Sequence, residues 1–174
     1  MTKTNNDFFP ESDYEIPETS NYMKFSEGDN KFRVLSSAIT GWVYWNTNNK
    51  PSRHKDNWDT VPDDIKTEKD GSQKINHFWA FIVWNYKAKK VQILEITQKG
   101  IMKYIKGLVK NPKWGNPKGY DIIINKTGSG FDTEYTYFSD PHSEADPKVL
   151  EQFSRMKIDL ELLFQGTDPF KPEK

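Results

Sequence analysis

The chain has 174 residues, 25 Lys+Arg against 25 Asp+Glu, 14% aromatic residues and no cysteine, which bounds it to one domain plus tails and excludes disulfides, zinc–thiolate sites and a thiol nucleophile. Mean hydropathy is −0.88; no stretch approaches the roughly 18 apolar residues of a membrane helix, and the N-terminus lacks a signal-peptide pattern, so the expectation is a soluble, cytoplasmic protein with no membrane partner. The neutral total conceals a segregation: residues 74–126 carry eleven lysines against two acids, Glu95 and Asp121, while residues 127–174 carry ten acids against five bases.

Residues 1–20 are polar and acidic, with Pro10 and Pro17, and read as a mobile N-terminal arm. Residues 31–35 and 39–45 read as one long bent strand, with Gly41 placed for a bulge or bend. Residues 46–74 have two prolines, many charges and no apolar period; a structureless loop of that length signals function or disorder. Residues 75–85 and 91–96 are apolar and β-rich, and flank a Tyr-Lys-Ala-Lys-Lys turn in a hairpin pattern. Thr97 is placed to cap a helix of about a dozen residues on which Ile101, Tyr104, Ile105 and Leu108 share one face. Pro112 stops it, and residues 111–119 form a basic loop containing Trp114. Strands over 120–126 and 132–138 follow, joined by Gly128-Ser129-Gly130.

The order β–long loop–β–β–α–β–β is that of a mainly β, five-stranded OB-fold barrel with one helix between strands 3 and 4. This gives an OB-fold nucleic-acid-binding domain over 21–140. Asp146-Pro147 reads as a helix start. A C-terminal helix over 141–165 carries the stripe Leu150, Phe153, Met156, Leu160 and Leu163, and Gly166 ends it ahead of a mobile tail over 166–174. The stripe suits intramolecular packing first and a partner site second.

The basic block is interleaved with rings. Lysine supplies counterion-releasing contacts to phosphate, and flat side chains supply stacking surfaces for unpaired bases. Trp42 and Tyr44 alternate onto one face of their strand, and Trp79 and Phe81 onto one face of theirs, opposite Phe78, Ala80, Ile82 and Trp84. Both faces of two strands thus bear large rings; if only one face lines the interior, others are left for a ligand. Trp42, Tyr44, Trp58, Trp79, Trp84, Tyr86, Trp114 and Tyr120 are the candidate stacking residues. Arg53, Lys87, Lys89, Lys90, Lys113 and Lys118 are the candidate phosphate ligands. Lys99, Lys103, Lys106 and Lys110 read first as solvation of the helix surface and second as ligand contacts. The three histidines have no metal-ligand spacing, and Lys126–Gly130 is a hairpin turn rather than a phosphate loop. No enzyme, cofactor or metal is expected.

Five segments carry a family resemblance: 29–35 (DNKFRVL), 41–45 (GWVYW), 78–87 (FWAFIVWNYK), 91–101 (VQILEITQKGI) and 113–121 (KWGNPKGYD). Together, over roughly residues 22–165, they resemble bacteriophage-type single-stranded DNA-binding proteins with an OB-fold. The resemblance implies a non-catalytic protein of replication and recombination that binds and protects single-stranded DNA with little regard to sequence. It implies a host-cytoplasm location for a phage-encoded chain, self-association on DNA, and contacts to replication or recombination proteins through the acidic C-terminal region. A zinc site of the T-even type is not implied, since no cysteine is present. Two alternatives stand beside this: an OB-fold adaptor of a replication complex, docking through the C-terminal stripe and the acidic tails with the lysines solubilising, and a single-stranded RNA-binding protein.

Overall fold

The computed structural model describes Phe8 and residues 20–172; the arm expected over 1–20 otherwise lies outside the described residues. Seven strands, β1 (Gly28–Val34), β2 (Ile39–Trp45), β3 (Pro51–His54), β4 (Asn76–Asn85), β5 (Lys90–Ile96), β6 (Asp121–Thr127) and β7 (Glu134–Ser139), form one antiparallel sheet. Helix α1 (Lys99–Lys110) lies between β5 and β6, and α2 (Pro147–Met156) follows β7. The strand order is β3-β2-β4-β1-β6-β7, with β5 on the other side of β4.

This corrects the expected five-stranded barrel in two ways. First, the strand count rises because the long bent strand divides at residues 36–38 and because β3 forms inside the supposedly structureless loop. β4 pairs with β1 through Val34↔Val83 and with β2 through Ile39↔Ala80. Between them the Ser36 hydroxyl accepts from the Ile82 amide at 2.8 Å, so a side chain replaces a ladder bond at the break. β3 pairs with β2 from Trp42↔His54 to Trp45↔Pro51. Gly41 is not the bend. It lies inside β2, where a Cβ would meet the His54 carbonyl oxygen at 2.6 Å and the Phe164 ring at 2.9 Å, so it is a site of close approach.

Second, the sheet stays open because β5 does not pair with β7. The outer edge of β5 is taken by residues 21–23: the Met23 amide donates to the Ile93 carbonyl and the Ile93 amide to the Asn21 carbonyl, each at 2.8 Å. On the far side α1 packs against β7, with Tyr104 stacked on Tyr137 at 4.9 Å and its hydroxyl hydrogen-bonded to Ser139 at 2.7 Å. The helix starts one residue later than expected, with Gln98 rather than Thr97 at its N-cap and no side-chain cap bond.

Alternation along the strands sorts the core into two layers. On one face Phe32, Val34, Phe81, Val83, Leu94, Ile96, Ile122 and Ile124 pack beneath Ile101, Met102, Ile105 and Leu108 of α1. On the other, Leu35, Val43, Phe78, Ala80, Ile82, Val91 and Ile93 pack beneath Val149 of α2 and beneath Leu160 and Leu163 of a 3-10 helix (Leu160–Gln165). Both faces of β4 are therefore interior, which corrects the premise that only one could be.

Asp146 caps α2 as expected, accepting from the Lys148 amide at 2.9 Å with Pro147 in the first turn. The helix ends at Met156 where Lys157 turns left-handed (φ 48°), and the apolar stripe continues on the 3-10 helix. That break redirects the stripe: Leu160 and Leu163 are buried, while Leu150 is 46% exposed. Past Gly166, Pro169 is buried, its carbonyl accepts from the Asp159 amide at 2.9 Å, and Phe170 packs against the second layer.

Candidate nucleic-acid interface

The register of β2, β3 and β4 places a run of rings on one sheet face. Thr40 lies opposite Trp79, Trp42 opposite both His77 and His54, and Tyr44 opposite Ser52. Directly opposed residues share a face, so Phe81, Trp79, His77, Trp42, Tyr44 and His54 form a continuous strip. Phe81 lies beneath α1, and the strip then runs out past the end of the helix. The Trp42 and His77 rings sit 4.8 Å apart, and the buried Nδ1 of His77 has no hydrogen-bond partner among the described residues.

A cavity of about 480 Å³ opens where the strip leaves α1. Its floor is Val34, Trp79 and Phe81, and one wall is the link 36–38 with Thr40. The other wall is Ile105, Lys106, Val109 and Lys110 of α1 with Asn116, Pro117 and Lys118 of the following turn. No acid lines it. Among the described residues Lys106, Lys110 and Lys118 make no ion pair. An apolar floor with a half-buried indole and a rim of three unneutralised ammonium groups can take a flat apolar group attached to an anion.

The wall carrying Lys118 is tied down by Arg33, which is 2% exposed. Its Nε donates to Asp121 Oδ1 at 2.7 Å, Nη1 donates to the carbonyls of Lys118 at 3.2 Å and Ser143 at 2.9 Å, and Nη2 to Ser143 Oγ at 2.7 Å. Asp121 also accepts from the Tyr86 hydroxyl at 2.8 Å. Burial, reinforced by that bond, pushes the Tyr86 phenol up to about 12. Tyr120, fully buried and donating to the Gly115 carbonyl at 3.0 Å, is also pushed up by burial to about 12.

The candidate residues thus fall into separate places. Trp79, Trp42 and Lys118 belong to the strip and its cavity. Tyr44 is buried on the strip, its hydroxyl donating to Asp64 at 2.6 Å and its ring covered by Trp58 at 4.9 Å. Tyr120 is core and offers no open ring, and Trp84 is half-buried against the second layer, on the sheet face opposite Trp79. Arg53 faces away from the strip and is ion-paired to Glu95 at 2.6 Å. Tyr86, Lys87, Lys89 and Lys90 cluster at the β4–β5 turn, about 23 Å from Trp79 at ~3.3 Å per residue. There the Lys31 ammonium lies over the Tyr86 ring, Lys87 donates to Ser26 and Lys90 to the Ser20 carbonyl. Trp114 stacks on His142 at 5.8 Å beside exposed Lys113.

Sequence reasoning left out Lys106, Lys110, Val109, Thr40 and His77. For three of them the sequence pattern offers a signal: Lys106, Val109 and Lys110 share the flank of the helix off its apolar face, where an apolar residue sits between two lysines.

A relative in Escherichia phage T5, a "probable ssDNA-binding protein", is 29% identical over 138 residues, taking in 66% of this chain and 52% of the relative. The chain thus spans about half the length of that relative. No family model matches the sequence, and no solved structure matches it. Among the described residues no helix is long and apolar enough to cross a membrane, and no group of three or more His, Cys, Asp or Glu could hold a metal ion.

Proposed function

We propose that this chain binds single-stranded DNA without catalysis and largely without regard to sequence. The observation that carries the reading is the cavity at Trp79: an apolar floor, three unneutralised lysines on its rim and no acid in its lining. Bases stack on Trp79 and Trp42, and phosphates take Lys106, Lys110 and Lys118. Each stacked base contributes on the order of 1–3 kcal/mol, much the same for any sequence. The T5 relative supports single-stranded DNA as the ligand. We further read the sheet as an opened OB-type arrangement, with β1 and β2 as halves of one bent strand and α1 spanning the gap between β5 and β7. A role in replication or recombination follows from the family resemblance.

The adaptor alternative would use the C-terminal stripe and the acidic tails, and most of that stripe packs on the sheet. The test is tryptophan fluorescence during titration with dT oligonucleotides at two salt concentrations, with duplex DNA and RNA as competitors. Quenching that weakens with salt and is unaffected by duplex is the expected result. Replacing all three rim lysines by glutamine should flatten the slope of log K against log salt by about 2, at roughly 0.7 per phosphate contact on a single strand. An unchanged slope removes the rim from the site, and no quenching of the folded protein removes the function.

A further inference from the structure

The aromatic strip does not end in open solvent. At its far end the segment 56–64 lies across it, held at three points. The Asp64 carboxylate accepts from the Tyr44 hydroxyl at 2.6 Å. The Trp58 ring meets Tyr44 edge-on at 4.9 Å and lies over His54 at 5.4 Å, tilted by 32°. The Asp56 carbonyl is 2.7 Å from His54 Nδ1. Beyond Asp64, the amide of Thr47 donates to the Asp64 carbonyl and that of Lys66 to the Trp45 carbonyl, each at 2.9 Å. The segment holds four carboxylates, Asp56, Asp59, Asp63 and Asp64, and no base.

We infer that this segment is a built-in competitor for nucleic acid: it seats one ring and a run of negative charge where a single strand leaving the Trp79 cavity would lay its next base and phosphates, and the strand must displace it. The inference rests on the proposed single-strand binding. The register brings Trp42 and Tyr44 onto the same face as Trp79, so a strand extended along the strip from the lysine rim runs into Trp58. Tyr44 is then already covered by Trp58 and hydrogen-bonded to Asp64, and the acids repel the phosphates that the lysines attract. Residues 56–64 are held to the strip by few contacts, the hydrogen bonds at Asp56 and at Asp64 and the two ring contacts of Trp58, and the four acids are exposed, so the segment belongs to the part of the molecule that opens at low cost.

The reading gives Trp58 a sign. As a base-stacking residue, its loss weakens binding; as a competitor, its loss tightens it. The experiment measures dT oligonucleotide affinity for the full chain, for Trp58→Ala, and for the surface variant Asp56→Asn/Asp59→Asn/Asp63→Asn, which keeps Asp64 and the fold. A control of equal charge change away from the strip is Glu27→Gln/Asp132→Asn/Glu134→Gln. Hydrogen exchange of residues 57–66 is followed with and without dT.

Both strap variants should bind at least about threefold tighter than the parent at low salt, the triple-Asn variant more so than its control, and exchange over 57–66 should speed up when dT binds. Weaker binding by Trp58→Ala with slower exchange would make the segment a clamp and overturn the inference. So would equal affinities with unchanged exchange. If neither the parent nor any variant binds dT, the functional reading falls first and carries this one with it.

Discussion

Arg33→Met tests whether the buried network organises the cavity wall. The guanidinium is 2% exposed and donates to one carboxylate, two carbonyls and one hydroxyl. Methionine matches its stem and removes every donor. Breaking a buried pair by deleting one partner costs about 3–5 kcal/mol, because the remaining charge is left uncompensated. Here the remaining charge is not alone. Asp121 keeps the Tyr86 hydroxyl at 2.8 Å and the half-exposed Lys31 ammonium at 3.7 Å, and Ser143 lies at the surface where water can replace the lost donors. The loss should therefore sit at the low end, about 3 kcal/mol. At about 2–4 °C per kcal/mol for a domain of this size, that lowers the melting temperature by about 6–12 °C.

The assay is urea unfolding followed by circular dichroism, with Asp121→Asn and the double variant completing a cycle. The double variant should lose less than the two singles together, since no bare charge remains. A second readout ties the network to the site: the Lys118 carbonyl is one of the Arg33 acceptors, so Arg33→Met should also weaken dT binding while the salt slope stays close to the parent's. A loss below about 1 kcal/mol would refute the reasoning, since that is the size of an exposed pair.

Further outcomes follow from single contacts. Gly41→Ala should destabilise by about 1–3 kcal/mol in the same assay, because its Cβ would sit 2.6 Å from the His54 carbonyl oxygen, which belongs to the backbone of β3 and can yield only by shifting that strand. Burial pushes the Tyr86 and Tyr120 phenols up to about 12 in the folded chain, against about 10 unfolded. Their stabilisation is thus complete below about pH 10 and is lost as pH rises towards 12, because the unfolded chain releases the phenolic protons first. Tyr120→Phe should flatten that alkaline fall in urea midpoints. Removing residues 147–174 should leave an aggregating chain, since it uncovers Phe78, Ala80, Ile82 and Ile93 on the second sheet face; a monodisperse product would show that the second layer is dispensable.

Local pattern made several elements legible. The β4–β5 hairpin, the buried face of α1 and the Asp146-Pro147 start of α2 each depend on residues within a turn or two of one another. Other features turned on partners far along the chain. β3 is four residues long, and Pro51, Ser52, Arg53 and His54 carry no strand pattern of their own; they become a strand because β2 offers them a register. Ser36 is a plain loop residue until the Ile82 amide needs an acceptor 46 positions away.

The sorting of the rings shows why the candidate site was only half legible. Alternation correctly put Trp79 on one face of β4 and Trp84 on the other, but parity does not say what covers each face. The cover on the Trp84 side is the C-terminal segment, whose Phe164 reaches the Phe78 ring at 6.0 Å across 86 positions of sequence. With that layer in place, Trp84 is half-buried against it, while Trp79, equally half-buried on the opposite face, lines the cavity beside α1. The lysines sort by the same logic. Lys106 and Lys110 looked like solvation because they lie off the apolar face of α1, yet that is also where a rim must lie if the sheet extends beyond the helix. Val109 lies with them on that flank, 47% exposed. Beside an open indole it completes the apolar wall of a cavity whose only charges are positive.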